Sequence, residues 1–277
     1  MLKTTKIVAV SATFMASIFT AANAENCADN KTLVAGSLTI ATGNPAYSPW
    51  VMNDSPESKE GYEAAIAWEV AKRLGFADDA VSWTRTSFDE AIQPGAKTFD
   101  FNIQQFSILP ERDAVIDFSD PYYISSKAIV VPKDFAATLT EVNADVIRKL
   151  QFGAASGQTS AGFIEKYIKP EATLMLYEDM ADVTAALQAN QVQATVFDLP
   201  TAMFMTAVRY PEGMILGQFD EDRGGDADGF GMVFAEGNPL RECVNKVLAE
   251  MNSDGTTAAF EAEWLGASAG IPMISLD

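Results

Sequence analysis

The chain contains no histidine. That removes the commonest general base, the commonest metal ligand and any Ser-His or Cys-His couple. Cysteine is nearly as scarce, with Cys27 and Cys243 the whole complement. Basic residues number 19 against 38 acidic ones, a net charge of −19. A surface of that sign repels nucleic acid and anionic lipid, which makes both poor partners. Acidity also keeps an abundant soluble protein dispersed, so it says little about a ligand. No run after the first residues approaches the roughly 18 apolar residues of a membrane span. No repeat or low-complexity segment is present.

What is there begins with Lys3 and Lys6, a largely apolar stretch over 7–20, and Ala22-Asn23-Ala24. This is the pattern of a secretory signal cleaved after Ala24. Ala24-Glu25-Asn26 does not supply the small apolar context of a lipid-anchored cysteine at Cys27. The expectation is an exported, soluble protein, placed in a bacterial periplasm. Taking 24 residues from 277 leaves 253, which suits two lobes better than one average domain. The signal carries two basic residues and no acidic ones, so −19 becomes −21 on its removal. Disulfides persist in such a compartment. Cys27 and Cys243 then either bridge, tying the N-terminal segment to a late helix, or are unrelated thiols, Cys243 filling a helix's apolar face.

The rhythm along the chain is α/β. Leu38–Thr42 reads as a buried strand ended by Gly43-Asn44-Pro45, and Glu63–Leu74 as a helix with Ile66, Val70 and Leu74 four apart. Val81–Thr84 and Phe101–Ile103 are further strands, which suggests a parallel sheet flanked by helices. A second rhythm follows Ala128–Val131: strands at Phe152–Ala155, Thr173–Leu176 and Ala194–Phe197, helices at Ser160–Ile168, Ala181–Ala189 and Thr201–Val208. Asp220–Asp228 reads as an exposed loop and Gly229–Phe234 as a strand. Asn238 and Pro239 open a helix whose apolar face is Leu240, Cys243, Val244, Val247, Leu248 and Met251. A last helix carries Phe260 and Trp264.

Chemistry concentrates in few places. Arg112 sits in the short loop LPERD between apolar elements. It is either one member of a solvated charge cluster or a guanidinium placed to grip a carboxylate by paired hydrogen bonds. Gly157–Ser160 opens a helix; Thr159 or Ser160 can cap it, or the free N–H groups there can meet a carboxylate. Asp198 ends a strand just before Leu199-Pro200, a place for an N-cap or for a cation-binding carboxylate. Tyr47 and Trp50, in a proline-bearing loop, and Phe88 are either core or pocket wall.

The segment SILPERDAVIDFSDPYY resembles the (S/T)-I-T-P-E-R…F-S-x-P-Y-Y signature of polar-amino-acid solute-binding proteins of ABC importers (bacterial extracellular solute-binding proteins, family 3). Leu109 departs from the usual threonine. NPAYSPW, EGYEAAIAWEVAKRLGF, GQTSAGF, ATVFDLP, the helix from Gly237 and the final EAEWLG are similar to further family segments in the same order, over essentially the whole chain after the signal. The resemblance implies a two-lobe periplasmic-binding-protein fold of type II. Its lobes are interleaved, with residues 1–24 the signal, 25–128 and 233–277 lobe one, and 129–232 lobe two. Ala128–Val131 and Gly229–Phe234 would be the two-strand hinge. It implies that Arg112, with N–H groups around Ser107 and Thr159, holds a ligand α-carboxylate, that Asp198 holds the ammonium, and that Tyr47, Trp50 and Phe88 cover the side chain. Gln105 replaces a common serine and would touch the ligand, and Asn44 stands where binders of basic amino acids often have aspartate, which points to a neutral amino acid.

The resemblance implies a monomeric carrier that closes on a free amino acid and delivers it to an ABC permease in the inner membrane, with no cofactor, no metal and no catalysis. The rival on the same fold is a cyclohexadienyl or arogenate dehydratase, which needs one carboxylic acid to protonate a departing hydroxyl. Glu60, Glu63 and Asp198 are the candidates for it.

Overall fold

The computed structural model describes residues 27–220, 228–266 and 270–276. The expected signal segment with its cleavage point, and most of the acid- and glycine-rich run 220–228, lie outside the described residues.

Strands β1 (Leu38–Gly43), β2 (Val81–Thr86), β3 (Phe101–Asn102) and β4 (Asp117–Phe118) come first. They are followed by β5 (Tyr123–Ser125), β6 (Lys127–Pro132), β7 (Gly153–Ala155), β8 (Met175–Tyr177) and β9 (Thr195–Asp198). Then come β10 (Gly213–Gln218), β11 (Asp228–Phe230) and β12 (Val233–Phe234).

The first lobe is built on a sheet of order β2-β1-β3-β12-β4. β1 pairs in parallel with β2 and β3, while β12 closes antiparallel on β3 and β4. LTIATG is buried almost throughout because helices cover the sheet. Helix Tyr62–Arg73 and helix Leu240–Ser253 bury Tyr62, Ile66, Val70, Leu240, Val244 and Leu248 in one cluster with Leu38 and Ile40. Gly61 starts the first of these at φ 102°, and a Cβ there would sit 2.5 Å from the Trp50 carbonyl oxygen, so no larger residue fits. Asn238 accepts from the Leu240 amide at 2.9 Å, as its capping position anticipates.

The second lobe has a sheet of order β10-β6-β9 and a parallel pair, β7-β8, joined to it by the Phe152–Ala194 bridge. β6 is buried at all six positions. Its period-two alternation feeds two cores: Ile129 and Val131 pack with Phe152, Ile164 and Val196, and Ala128 and Val130 pack with Val183, Leu187 and Phe197. The result is the two-lobe α/β fold anticipated from the sequence. No helix among the described residues is long and apolar enough to cross a membrane.

Two expectations need correction. The strands that join the sheets are β5 and β11, paired antiparallel from Tyr123–Phe230 to Ser125–Asp228. Ala128–Val131 is the middle of the second lobe's sheet, bonded on both edges, and Val233–Phe234 belongs to the first lobe's sheet. The tail also does not stay with the first lobe. Ile271, Ile274 and Leu276, partly buried, pack against the cores of the second, and the backbone of Gln218 donates to Pro272 and accepts from Ile274, both at 2.8 Å. Apolar IPMISL gains more by covering β10 than by remaining in water.

Cys27 and Cys243 are bridged, with Cα atoms 5.7 Å apart. The bond fastens the first described residue to the buried face of helix Leu240–Ser253 across 216 positions. Closing so long a loop in the unfolded chain is worth about 2–5 kcal/mol. Cys243→Ser should therefore lower Tm by roughly 5–15 °C for a chain of this size, read by calorimetry with and without reductant. Reductant should then leave the variant's Tm unchanged.

Candidate functional site

A cavity of about 390 Å³ lies between the lobes. The first lobe contributes Asn44, Tyr47, Phe88, Asp89, Gln104 and Gln105; the second contributes Gln158, Thr159, Ser160, Asp179, Asp198 and Thr201 among others. Five of the eight anticipated contact residues therefore line it: Tyr47, Phe88, Gln105, Thr159 and Asp198.

Trp50 does not line it. It is fully buried, edge-on to Tyr62 and Tyr123 at 6.0 and 5.3 Å and against Phe230 at 5.7 Å. Its indole N–H donates to Thr201 Oγ1 at 2.9 Å, a bond from the first lobe to the second. An indole buried on all sides satisfies its one donor this way. Trp50 is a seam residue, and its partner Thr201 is the one that reaches the cavity. Ser107 likewise is buried outside the lining and offers its carbonyl to Arg112.

Arg112 does not itself line the cavity: it is buried in a one-turn helix begun by Pro110, behind the lining residue Phe88. Its Nη1 donates to Ser107 O at 3.1 Å and its Nη2 to Gly157 O, on the other lobe, at 3.2 Å. The guanidinium lies over the Phe88 ring, 5.1 Å from its centre, and Phe88 stacks on Phe106 at 4.8 Å. It makes no ion pair among the described residues, so the solvated-cluster reading fails. Two of its five N–H donors are used. Burial lowers its pKa, and Asp228, Glu111 and Asp89 oppose that. Gly157 holds the facing loop at φ +73°, a left-handed turn suited to glycine.

Asp198 sits at the N-cap of helix Leu199–Phe204 but makes no cap bond. Its Oδ1 instead accepts from the Ser125 hydroxyl and, at 2.6 Å, from Lys127 Nζ. Lys127 is 1% exposed and also bonds Asp228 Oδ2 at 2.7 Å and Thr159 Oγ1 at 3.0 Å. Burial pulls its pKa down, but Asp198 and Asp228 outweigh this and the net shift is upward, so it stays an ammonium. Thr159 passes a weaker bond to Asp228 at 3.4 Å and caps nothing. Lys127 and Asp228 escaped the sequence reading. The one signal was a lysine inside an apolar strand, KAIVV, which demands a countercharge once the strand is central.

Glu63, in the first turn of its helix, is buried beneath Gln105. The Gln105 amide donates to its Oε1 at 2.6 Å, Gln105 Nε2 to Oε2 at 3.3 Å, and the Tyr122 hydroxyl to Oε1. These bonds hold Gln105 at φ +51°, a conformation unusual for a non-glycine residue. Burial pushes the Glu63 carboxyl up to about 7, against the pull of its three hydrogen bonds. Neither Glu63 nor the exposed Glu60 lines the cavity. The described residues contain no group of three or more acids and cysteines arranged to hold a metal.

The Glu63 shift has a direct consequence. The unfolded carboxyl loses its proton near 4.5 and the folded one near 7. Through this group stability therefore falls as pH rises from about 4.5 to about 7, then levels. Glu63→Gln should remove that fall. From pH 5 to pH 8 the variant should gain on the wild type by about 1–3 kcal/mol, measured by urea denaturation at both values. Parallel pH profiles for the two proteins would contradict the assignment.

The chain is similar to known amino-acid-binding proteins along most of its length. An L-cystine-binding protein of Escherichia coli (strain K12) is 25% identical over 241 residues, covering 86% of each chain. The histidine-binding periplasmic protein of the same strain is 26% identical over 226 residues, covering 77% of this chain and 82% of that one. The solved structure of an ancestral arginine-binding protein bound to glutamine superposes with a TM-score of 0.67 at 25% identity, over 84% of this chain and all of that one. Residues 38–267 match the sequence model of the bacterial extracellular solute-binding proteins, family 3, and the chain belongs to that family.

Proposed function

We propose that this protein is the extracytoplasmic solute-binding component of an ABC importer, working in the periplasm, and that it carries an amino acid or a close relative to a membrane permease. The observation that carries the reading is Arg112: a buried guanidinium at the seam of two lobes, unpaired by any carboxylate among the described residues and with donors to spare there. Such a group is matched by a ligand carboxylate, which it can take by two parallel bonds. The cavity between the lobes is of the size that small ligands occupy.

In this reading Arg112 and the Gly157–Thr159 loop hold the carboxylate, and Asp198 turns toward the ligand's amino group. Tyr47, Phe88 and Gln105 meet its side chain. Lobe one comprises the residues up to β5 and those from β12 to Leu265; lobe two comprises those between, together with the tail from Ile271. Arg112 and Asp198 belong to different lobes, so a ligand that touches both favours the closed arrangement over the open one, and that difference in affinity is what moves a hinge. A dehydratase is not favoured, since of the three acids considered only Asp198 reaches the cavity, and its Oδ1 is bonded to a lysine.

Arg112→Ala should weaken binding by about 2–5 kcal/mol, the usual cost of truncating one partner of a buried charged contact. A thermal-shift panel of the common amino acids finds a ligand, since saturation at about 100 times Kd stabilises the fold by about 2.7 kcal/mol. Calorimetric titration of wild type and variant with that ligand then measures the loss. Equal affinities would remove Arg112 from the site.

A further inference from the structure

Two of the polar groups that the second lobe offers the cavity, Thr159 and Asp198, are already bonded to Lys127. Lys127 lies directly opposite Asp198 in the β6–β9 register. Its three N–H donors meet three acceptors, on Asp198, Asp228 and Thr159, which is all that an ammonium can offer. The lysine side chain is 1% exposed, Asp228 6% and Asp198 21%. The cation is thus fixed in the wall, behind a carboxylate that still reaches the cavity.

We propose that Lys127 lets the cleft accept carboxylates without an α-ammonium, namely 2-hydroxy and 2-oxo acids, alongside the matching amino acids. The inference rests on the reading of Arg112 as the carboxylate anchor. A site that depends on its ligand to satisfy a buried polar group rejects an analogue lacking the partner by about 10⁴–10⁵-fold. Here that dependence is broken. With a hydroxyl or a carbonyl at the ligand's α-carbon, Asp198 keeps Lys127 and Ser125 and is never left as a bare buried charge. The amino acid is not excluded either. Lys127, Asp198 and Asp228 together carry one negative charge, so a ligand ammonium is still attracted at Asp198, only less strongly than by an unpaired carboxylate. The protein's own ammonium narrows the difference between the two classes.

The test is calorimetric titration with matched triplets: alanine, leucine, phenylalanine and glutamate, each with its own 2-hydroxy and 2-oxo analogue. Wild type is compared with Lys127→Met and Lys127→Gln. In the triplet that binds, the wild-type Kd values should agree within about tenfold, far inside the usual rejection range. Either variant should raise the preference for the amino acid to about a hundredfold or more. A wild-type preference already that large, or a ratio unchanged in both variants, overturns the inference. Should neither variant fold, the wild-type ratio decides alone. Arg112→Ala separates the two readings: it should weaken all three members of the triplet alike. A triplet that binds with the expected ratio but ignores Arg112→Ala sinks the anchor and leaves the Lys127 ratio standing. Failure of every triplet to bind wild type overturns both.

Discussion

A lysine ammonium buried to 1% must find negative charge nearby or lose its proton, and that requirement organises the centre of this molecule. Lys127 heads β6, the central strand of the second sheet. Its partners come from β9 on one side and from β11, one of the two joining strands, on the other. Ser125, on the second joining strand, completes the group through Asp198. The cavity-lining carboxylate of Asp198 is therefore wired to both connections between the lobes. A shift of Asp198 is passed through these bonds to the strands that join the lobes.

The seam beside it is aromatic. Trp50, Tyr62 and Tyr123 pack edge to face around the joining strands, with Phe230 tilted against Trp50 and Tyr123. Such contacts are non-directional enough to survive small rotations but dense enough to resist large ones. Among the hydrogen bonds that cross the same seam are Trp50 to Thr201 and Arg112 to Gly157. Only the second involves a charged group with donors remaining, which is why Arg112 carries the functional reading and Trp50 does not.

Most of the scaffold was legible in the sequence because its signals are local. The apolar run of Ala128–Val131, the four-residue spacing of Ile66, Val70 and Leu74, and the face of Leu240 to Met251 each state their own geometry. Arg112 and Asp198 stood out as charges at element ends. Cys27 and Cys243 could be nominated as partners because the chain has no other thiols, but not decided. What stayed hidden depends on long-range register. That Trp50 would spend its N–H on Thr201, 151 positions later, or that Asp228 would meet Lys127, is written in no spacing. The joining strands were displaced by a few residues for a related reason: periodicity marks a strand but not which sheet it enters. Glu63 looked like a catalytic candidate since a carboxylate's burial cannot be read from its neighbours alone. In the fold it serves as a strut for Gln105.

The tail gives the architecture its last property. After Leu265 the chain leaves the first lobe's core and returns to the second, where Ile274 seals β10 over Gly217 and Arg148 bonds the Leu276 carbonyl. A body joined by two adjacent strands can twist and swing about them; a strap fastened at a different point removes some of those freedoms. Any motion between the lobes then has fewer paths open to it, nearer to a door on a guided track than to a ball joint.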